Sequence, residues 1–170
     1  MKSLLSFLWV RLLSGLGFLL LAANTFGAPF ELQDGDRVLF IGDTFFEREA
    51  DYGYIEARLT AAFPNRNVTF RNLAWAGDTP MGRARASFDW NKSEDEWLKR
   101  VKEQVALVKP TVAFLSYGMT GALQDGEAGV PKFRADLAKL MDAIQEVSGQ
   151  NVRFVLLSPT AQLSLKSPAN

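Results

Sequence analysis

A three-layer α/β fold, doubly wound around a parallel sheet, is what this sequence predicts, on three observations. Short apolar runs recur at residues 38–41, 68–75, 111–116 and 152–157. Stretches with apolar residues at helical spacing alternate with them. Three of the runs stop at a turn that contains a glycine, Gly42, Gly77 or Gly118. Near-continuous apolar strands that alternate with helices point to a parallel sheet covered on both faces. Right-handed crossovers then leave a doubly wound arrangement.

Each element has its own local reason. Asp34, Gly35 and Asp36 form a turn into the first strand, which stops at Gly42-Asp43-Thr44 before a helical pattern resumes a few residues later. Tyr54, Ile55, Leu59, Ala62 and Phe63 recur at helical spacing, and Pro64-Asn65 closes that helix. The second strand ends at Ala76-Gly77-Asp78-Thr79-Pro80, and residues 81–92 read as irregular, with Phe88 and Trp90 among them. Ser93 and Glu96 stand at capping-box spacing and open a helix whose inward face is Trp97, Val101, Val105 and Val108. Lys109-Pro110 stops it, and the third strand runs to Tyr117-Gly118-Met119-Thr120-Gly121. A glycine-rich loop is expected over 124–130, with Pro131 opening a helix that buries Phe133, Leu137, Leu140, Met141 and Ile144. Ser148-Gly149 ends that helix before the fourth strand. Residues 158–170 are turn-rich, and no internal repeat occurs.

Composition excludes more than it suggests. A chain of 170 residues is one domain with a modest core. Lys and Arg total 19 against 19 Asp and Glu, so no net field draws nucleic acid or an anionic membrane. There is no cysteine, hence no disulfide, thiolate metal site or cysteine nucleophile. There is no histidine either, which removes the usual general base and the commonest metal ligand. No run matches a phosphate loop or a dinucleotide fingerprint, and no carboxylates stand at metal-site spacing. No cofactor and no metal are therefore expected.

The first segment reads as a targeting signal. Lys2 and Arg11 are positive, residues 12–23 are apolar, and Asn24-Thr25-Phe26-Gly27-Ala28 offers small residues at a cleavage point. This is the pattern of a secretory signal peptide over 1–27, cut after Gly27. An uncleaved membrane anchor over 4–23 is the alternative. Both place the folded part outside the cytoplasm, in the periplasm or beyond.

In a parallel sheet the carboxyl ends of the strands share one edge, where open α/β folds keep their ligand sites. Thr44, Gly77 and Thr120 each follow a different strand and are predicted to meet there. On spacing alone, Gly42, Gly77 and Gly118 are equally well explained as turn glycines with incidental threonines. The residues themselves add a resemblance. Gly42-Asp43-Thr44, then Asn72-Leu73-Ala74-Trp75-Ala76-Gly77-Asp78-Thr79, then Tyr117-Gly118-Met119-Thr120 resemble the first three sequence blocks of the SGNH, or GDSL-like, hydrolases. The resemblance spans about 35–159 and is closest to an exported bacterial type with Glu-Arg after the first block, here Glu47-Arg48.

The resemblance implies a flavodoxin-like sheet, the SGNH hydrolase fold, and the chemistry of a serine-type esterase. It puts Thr44 at the nucleophile position, Gly77 at the oxyanion-hole glycine, and Thr120 at the position of an asparagine that completes the hole. Of these only Gly77 is the family residue. The family's last block, with its aspartate and histidine, has no counterpart, so the domain over 35–159 is expected to be incomplete at its C-terminal edge, followed by an irregular tail over 160–170.

These departures have physical consequences. A threonine hydroxyl needs a base within reach, and the nearest candidates, Asp43 and Asp78, are poor bases at an ordinary carboxylate pKa. Loss of one hole donor costs about 10²–10³ in rate, and loss of a triad member leaves roughly 10³–10⁴ over water. The resemblance therefore implies an ester hydrolase, for acyl or acetyl esters such as those of carbohydrate, and the departures imply that its activity is impaired in this chain alone. The alternative is a catalytically lapsed domain that binds a ligand or partner. A generic flavodoxin-like binding domain is the remaining reading.

Partners follow from the same reading: a small-molecule or carbohydrate ester, no nucleic acid, no membrane after signal cleavage, and self-association through the open apolar edge of the fourth strand. Trp75, Phe88, Trp90 and Trp97 read either as a sugar-binding cleft or as core and rim packing. Arg83 and Arg85 read as anchors for an anionic substrate or as solvated charge.

Overall fold

A computed structural model of the protein describes residues 30–86 and 89–160. The predicted signal peptide over 1–27, Phe88 and the tail beyond residue 160 lie outside the described residues. The chain divides into Met1–Glu31 and Leu32–Asn170, and the second unit holds the sheet.

Strand β1, Arg37–Gly42, is buried along almost its whole length because both its faces are covered. It lies at the centre of a four-stranded sheet of order β2-β1-β3-β4, with β2 at Thr69–Asn72, β3 at Val112–Ser116 and β4 at Arg153–Leu157. All three pairings are parallel, and Gly42 is in register with Ser116. This is the expected doubly wound α/β sheet.

Period-2 alternation sends successive β1 residues to opposite layers. Leu39 and Ile41 join Val101, Val105, Leu140 and Ile144, which belong to α3, Glu94–Val108, and α5, Val130–Ser148. Val38 and Phe40 join Phe46 on the opposite face, with Ile55 and Leu59 packed beside them. Those residues come from α1, Thr44–Tyr52, and α2, Tyr54–Ala62. Phe40 is the hub there: its ring lies 4.9 Å from Phe46, 5.4 Å from Phe114 and 5.9 Å from Phe70. Burial of each such ring contributes about 1.5–3 kcal/mol.

Local signals set the helix ends as the sequence suggests. The Ser93–Glu96 capping box is complete, and Pro131 stands in the first turn of α5. Three features differ from expectation. The helix after β1 begins at Thr44 itself, because the Asp43 side chain caps it, and it is split from α2 by Gly53 in a left-handed conformation. Strand β2 stops at Asn72, although the Leu73 and Trp75 amides still bond to the carbonyls of Phe40 and Gly42. A short helix α4, Met119–Gln124, and a 3₁₀ turn, Gly126–Gly129, occupy the stretch read as loop.

Asp36, read as a turn residue, is buried at the opposite edge of the sheet and ties strands together. It accepts from Thr111 Oγ1 at 2.7 Å, from the Gln33 amide at 2.6 Å, and from Arg153 of β4. Burial opposes its ionisation, but these donors together hold its carboxyl below the usual range. Among the described residues no helix is long and apolar enough to cross a membrane.

Candidate functional site

The site is built from the turn after β1. The Asp43 amide donates to Ser116 O at 2.9 Å, closing β1 onto β3. The Asp43 carboxylate accepts from the Phe45 amide at 3.3 Å, so α1 starts at Thr44 and presents that hydroxyl at the rim. Gly42 has no room for a side chain, since a Cβ there would lie 2.3 Å from Ser116 O. The close approach of β1 and β3 at this point depends on that glycine.

The second block arrives from the other side. Asn72 clamps it: its side-chain amide donates to Phe46 O at 2.7 Å, and its carbonyl oxygen accepts from the Ala74 amide at 2.9 Å. The chain then turns through Gly77, whose left-handed φ of 67° aims its N–H back at α1. That N–H donates to Thr44 Oγ1 at 3.1 Å. The predicted nucleophile position and the predicted oxyanion glycine are thus in direct contact.

Thr120 is the second residue of α4. Among the described residues its hydroxyl makes no hydrogen bond to Thr44 or Gly77. The residue before it, Met119, faces the Asp43 carboxylate with its amide.

Beneath the rim lies a buried polar group that the sequence does not announce. Arg85 Nε donates to Asp78 Oδ2 at 2.8 Å, with both side chains almost fully buried. The same guanidinium donates to Gln104 Oε1 at 2.9 Å and to the Leu73 carbonyl. The Ala84 amide donates to Asp78 Oδ1 at 3.1 Å. Arg85 is therefore a structural clamp on the loop that carries Gly77, which corrects its reading as a solvated or substrate-facing charge. Its neighbour Arg83 is exposed. The signal was available in Gly77-Asp78 and Arg85 at a separation of seven, but nothing local distinguishes Arg85 from Arg83.

Burial pushes the Asp78 carboxyl above the ordinary range, and the charge and hydrogen bonds of Arg85 offset this only in part. Burial does the same to Asp43, against the pull of the Phe45 and Met119 amides. Tyr117, fully buried beside this group, has its phenol pushed far upward by desolvation and by the Asp78 charge.

Among the described residues neither carboxylate accepts a hydrogen bond from the Thr44 hydroxyl. Both Asp78 oxygens are engaged by Arg85 and Ala84; Asp43 Oδ1 caps α1, while its Oδ2 is buried with no hydrogen-bond partner. Among the described residues, no acceptor takes the Thr44 hydroxyl proton. The site thus brings a backbone N–H onto a secondary alcohol, with no acceptor hydrogen-bonded to that alcohol among the described residues. Half-exposed aromatics flank it: Phe45 at 44 % and Trp75 at 51 % exposure. Trp97 packs with its indole N–H on Asp89 O at 2.9 Å, and Trp90, next to Asp89, is 78 % exposed. Among the described residues, no cluster of three or more carboxylates stands close enough to hold a metal ion.

No family model and no curated protein matches this chain. Solved structures do. An acetylxylan esterase from Geobacillus stearothermophilus, Axe2, superposes as its D191A mutant with a TM-score of 0.54 at 18% identity, over 76% of this chain and 62% of that one. Its W190I mutant, described as an acetyl-xylooligosaccharide esterase, gives 0.53 at 17%, over 75% and 61%. The periplasmic domain of a lipopolysaccharide acetyltransferase from Salmonella ser. Paratyphi A gives 0.50 at 17%, over 75% of this chain and 46% of that domain. The chain spans about three fifths of the length of the esterases it matches. The shared feature is the fold: a parallel α/β sheet of the kind these esterases are built on.

Proposed function

We propose that this chain is an SGNH-type protein of the ester hydrolase class, acting on acyl or acetyl esters that include those of carbohydrate, with impaired activity when alone. One observation carries the reading: the Gly77 N–H donates to Thr44 Oγ1 at 3.1 Å at the carboxyl edge of the sheet. An attacking oxygen beside an oxyanion donor is the minimal geometry for acyl transfer. The matched folds, named for acetylxylan esterase and acetyltransferase, agree with it. Impairment follows from the lack, among the described residues, of an acceptor hydrogen-bonded to Thr44 and from the absence of histidine in the chain. Thr44 takes the nucleophile role, Gly77 the hole, and Thr120 the remaining hole position.

Supplying the missing base tests this. Full chain, Thr44→Ser and Thr44→Ala are assayed on p-nitrophenyl acetate with and without added imidazole, after subtraction of the imidazole background. Without imidazole the full chain should be no faster than Thr44→Ala. With imidazole, Thr44→Ser should exceed Thr44→Ala. Equal rates in both variants would remove the hydrolase reading and leave the ligand- or partner-binding module, which the unserved Thr44 proton favours.

The pattern of residues 1–27 supports export. The composition of β4 supports self-association with a second copy: four of its five residues are apolar, Leu156 is 56 % exposed, and its one charge, Arg153, is drawn to Asp36. Two such edges can approach without like-charge repulsion.

A further inference from the structure

Glu47-Arg48, which follows the first sequence block, has no part in the arrangement described so far. Residues three or four apart share one face of a helix, with Cβ atoms about 5–6 Å from each other. Glu47 and Arg48 stand at those two steps from Thr44 in α1, so both lie on the face that carries the Thr44 hydroxyl. A long helical side chain also leans back over the preceding turn. For Glu47 that turn begins at Thr44.

Glu47 Oε2 is buried and has no hydrogen-bond partner. Arg48 Nε stands 3.4 Å from it, near enough to pair in charge but not placed to donate. A buried carboxylate oxygen without a donor costs stability, and a catalytic role is one of the few reasons a fold keeps one. On the same helix face is a hydroxyl with a proton to place. Thr44 Oγ1 accepts from the Gly77 N–H at 3.1 Å, so its own O–H is directed elsewhere.

The other carboxylates of the site are less suited to take that proton. Asp78 has both oxygens engaged. Asp43 also has a free oxygen, but the Phe45 and Met119 amides hold its carboxylate and the residue is only 2 % exposed. It can neither turn nor pass a proton on to water. The longer Glu47 side chain is 34 % exposed, which gives a proton a way out.

We propose that Glu47 is the general base for Thr44. Its carboxylate takes the hydroxyl proton as Oγ1 bonds to the acyl carbon, and the carbonyl π electrons move onto the oxygen that the Gly77 N–H stabilises. Collapse of that intermediate breaks the ester C–O bond, and the leaving alcohol takes the proton from Glu47. The same carboxylate then draws a proton from the water that hydrolyses the acyl-threonine. Ester and water become acid and alcohol, and both residues return unchanged. A carboxylate is a weak base for an alcohol, so the step is slow, in keeping with impaired activity. This role rests on the hydrolase reading.

The threonine methyl crowds the tetrahedral intermediate, so the test uses Thr44→Ser in the full chain, alone and combined with Glu47→Gln or Glu47→Asp. The substrate is p-nitrophenyl acetate, and Thr44→Ala sets the background. Without imidazole, Thr44→Ser should exceed Thr44→Ala. Adding Glu47→Gln should cut that excess at least about tenfold, since a positioned base contributes about 10²–10⁴. Glu47→Asp, which keeps the carboxylate, should retain more of it than Glu47→Gln. Imidazole should restore the excess in Thr44→Ser/Glu47→Gln, which a merely structural defect would prevent. The assignment is overturned, and the hydrolase reading kept, if imidazole accelerates Thr44→Ser but the imidazole-free excess is missing, is untouched by Glu47→Gln, or is lost beyond rescue. An imidazole-treated Thr44→Ser no faster than Thr44→Ala would instead sink the hydrolase reading, and this role with it.

Discussion

Arg85→Ala should be among the most damaging substitutions of a charged residue in this protein. The guanidinium is almost fully buried, pairs with Asp78 at 2.8 Å, and also donates to Gln104 and to the Leu73 carbonyl. Its removal leaves Asp78 ionised in the interior, and breaking a buried pair from one side costs about 3–5 kcal/mol. For a domain of this size that corresponds to a fall of roughly 10–20 °C in melting temperature. The loss depends on pH with a definite sign. Asp78 has a folded-state pKa above its unfolded value because of burial. Such a carboxyl stabilises the fold most below the unfolded pKa, and that contribution is lost as pH rises through the folded pKa. Without Arg85 the folded pKa climbs further, so the stability gap between variant and wild type should narrow from pH 8 to pH 5. Asp36 titrates the opposite way, but it does so in both proteins and cancels in the difference. Urea unfolding followed by circular dichroism at both pH values measures the gap. The double variant Asp78→Asn/Arg85→Met should recover much of the loss, since the charge is then gone from both sides. A loss below about 1 kcal/mol in Arg85→Ala, or a gap that widens in acid, would refute the clamp.

Two further outcomes follow from the rim and the edge. Gly42→Ala drives a Cβ to within 2.3 Å of Ser116 O and threatens the Asp43–Ser116 hydrogen bond. Overpacking of this kind costs about 1–3 kcal/mol, so urea unfolding should show at least about 1 kcal/mol of destabilisation; an unchanged midpoint would mean that β1 and β3 separate easily there. If two copies join through β4, Leu156→Lys should shift the protein towards monomer in sedimentation velocity, and identical profiles would exclude that edge.

Much of the fold was legible because its causes are local or periodic. Four apolar runs, the Ser93–Glu96 capping box and Pro131 each act through neighbours in sequence, and the strands and long helices stand where those signals lie. The misses share a cause as well. Asp43 caps α1 only because β1 delivers it to the turn with its own amide held by Ser116, so the helix began earlier than composition suggested. The short helix α4 carries no strong periodicity, with Gly121 and Thr120 inside it.

By itself the sequence determined the α/β class, the positions Thr44, Gly77 and Thr120 after successive strands, and the lack of any histidine to serve them. Tertiary structure alone decided which of those positions touch. The left-handed turn at Gly77 and the Asn72 clamp bring its amide onto Thr44, whereas Thr120 is carried into α4. It also decided that Arg85 is buried while Arg83, two residues away, is exposed. That difference depends on where Asp78, Leu73 and Gln104 lie in space, and their separations of 7, 12 and 19 residues leave no local trace.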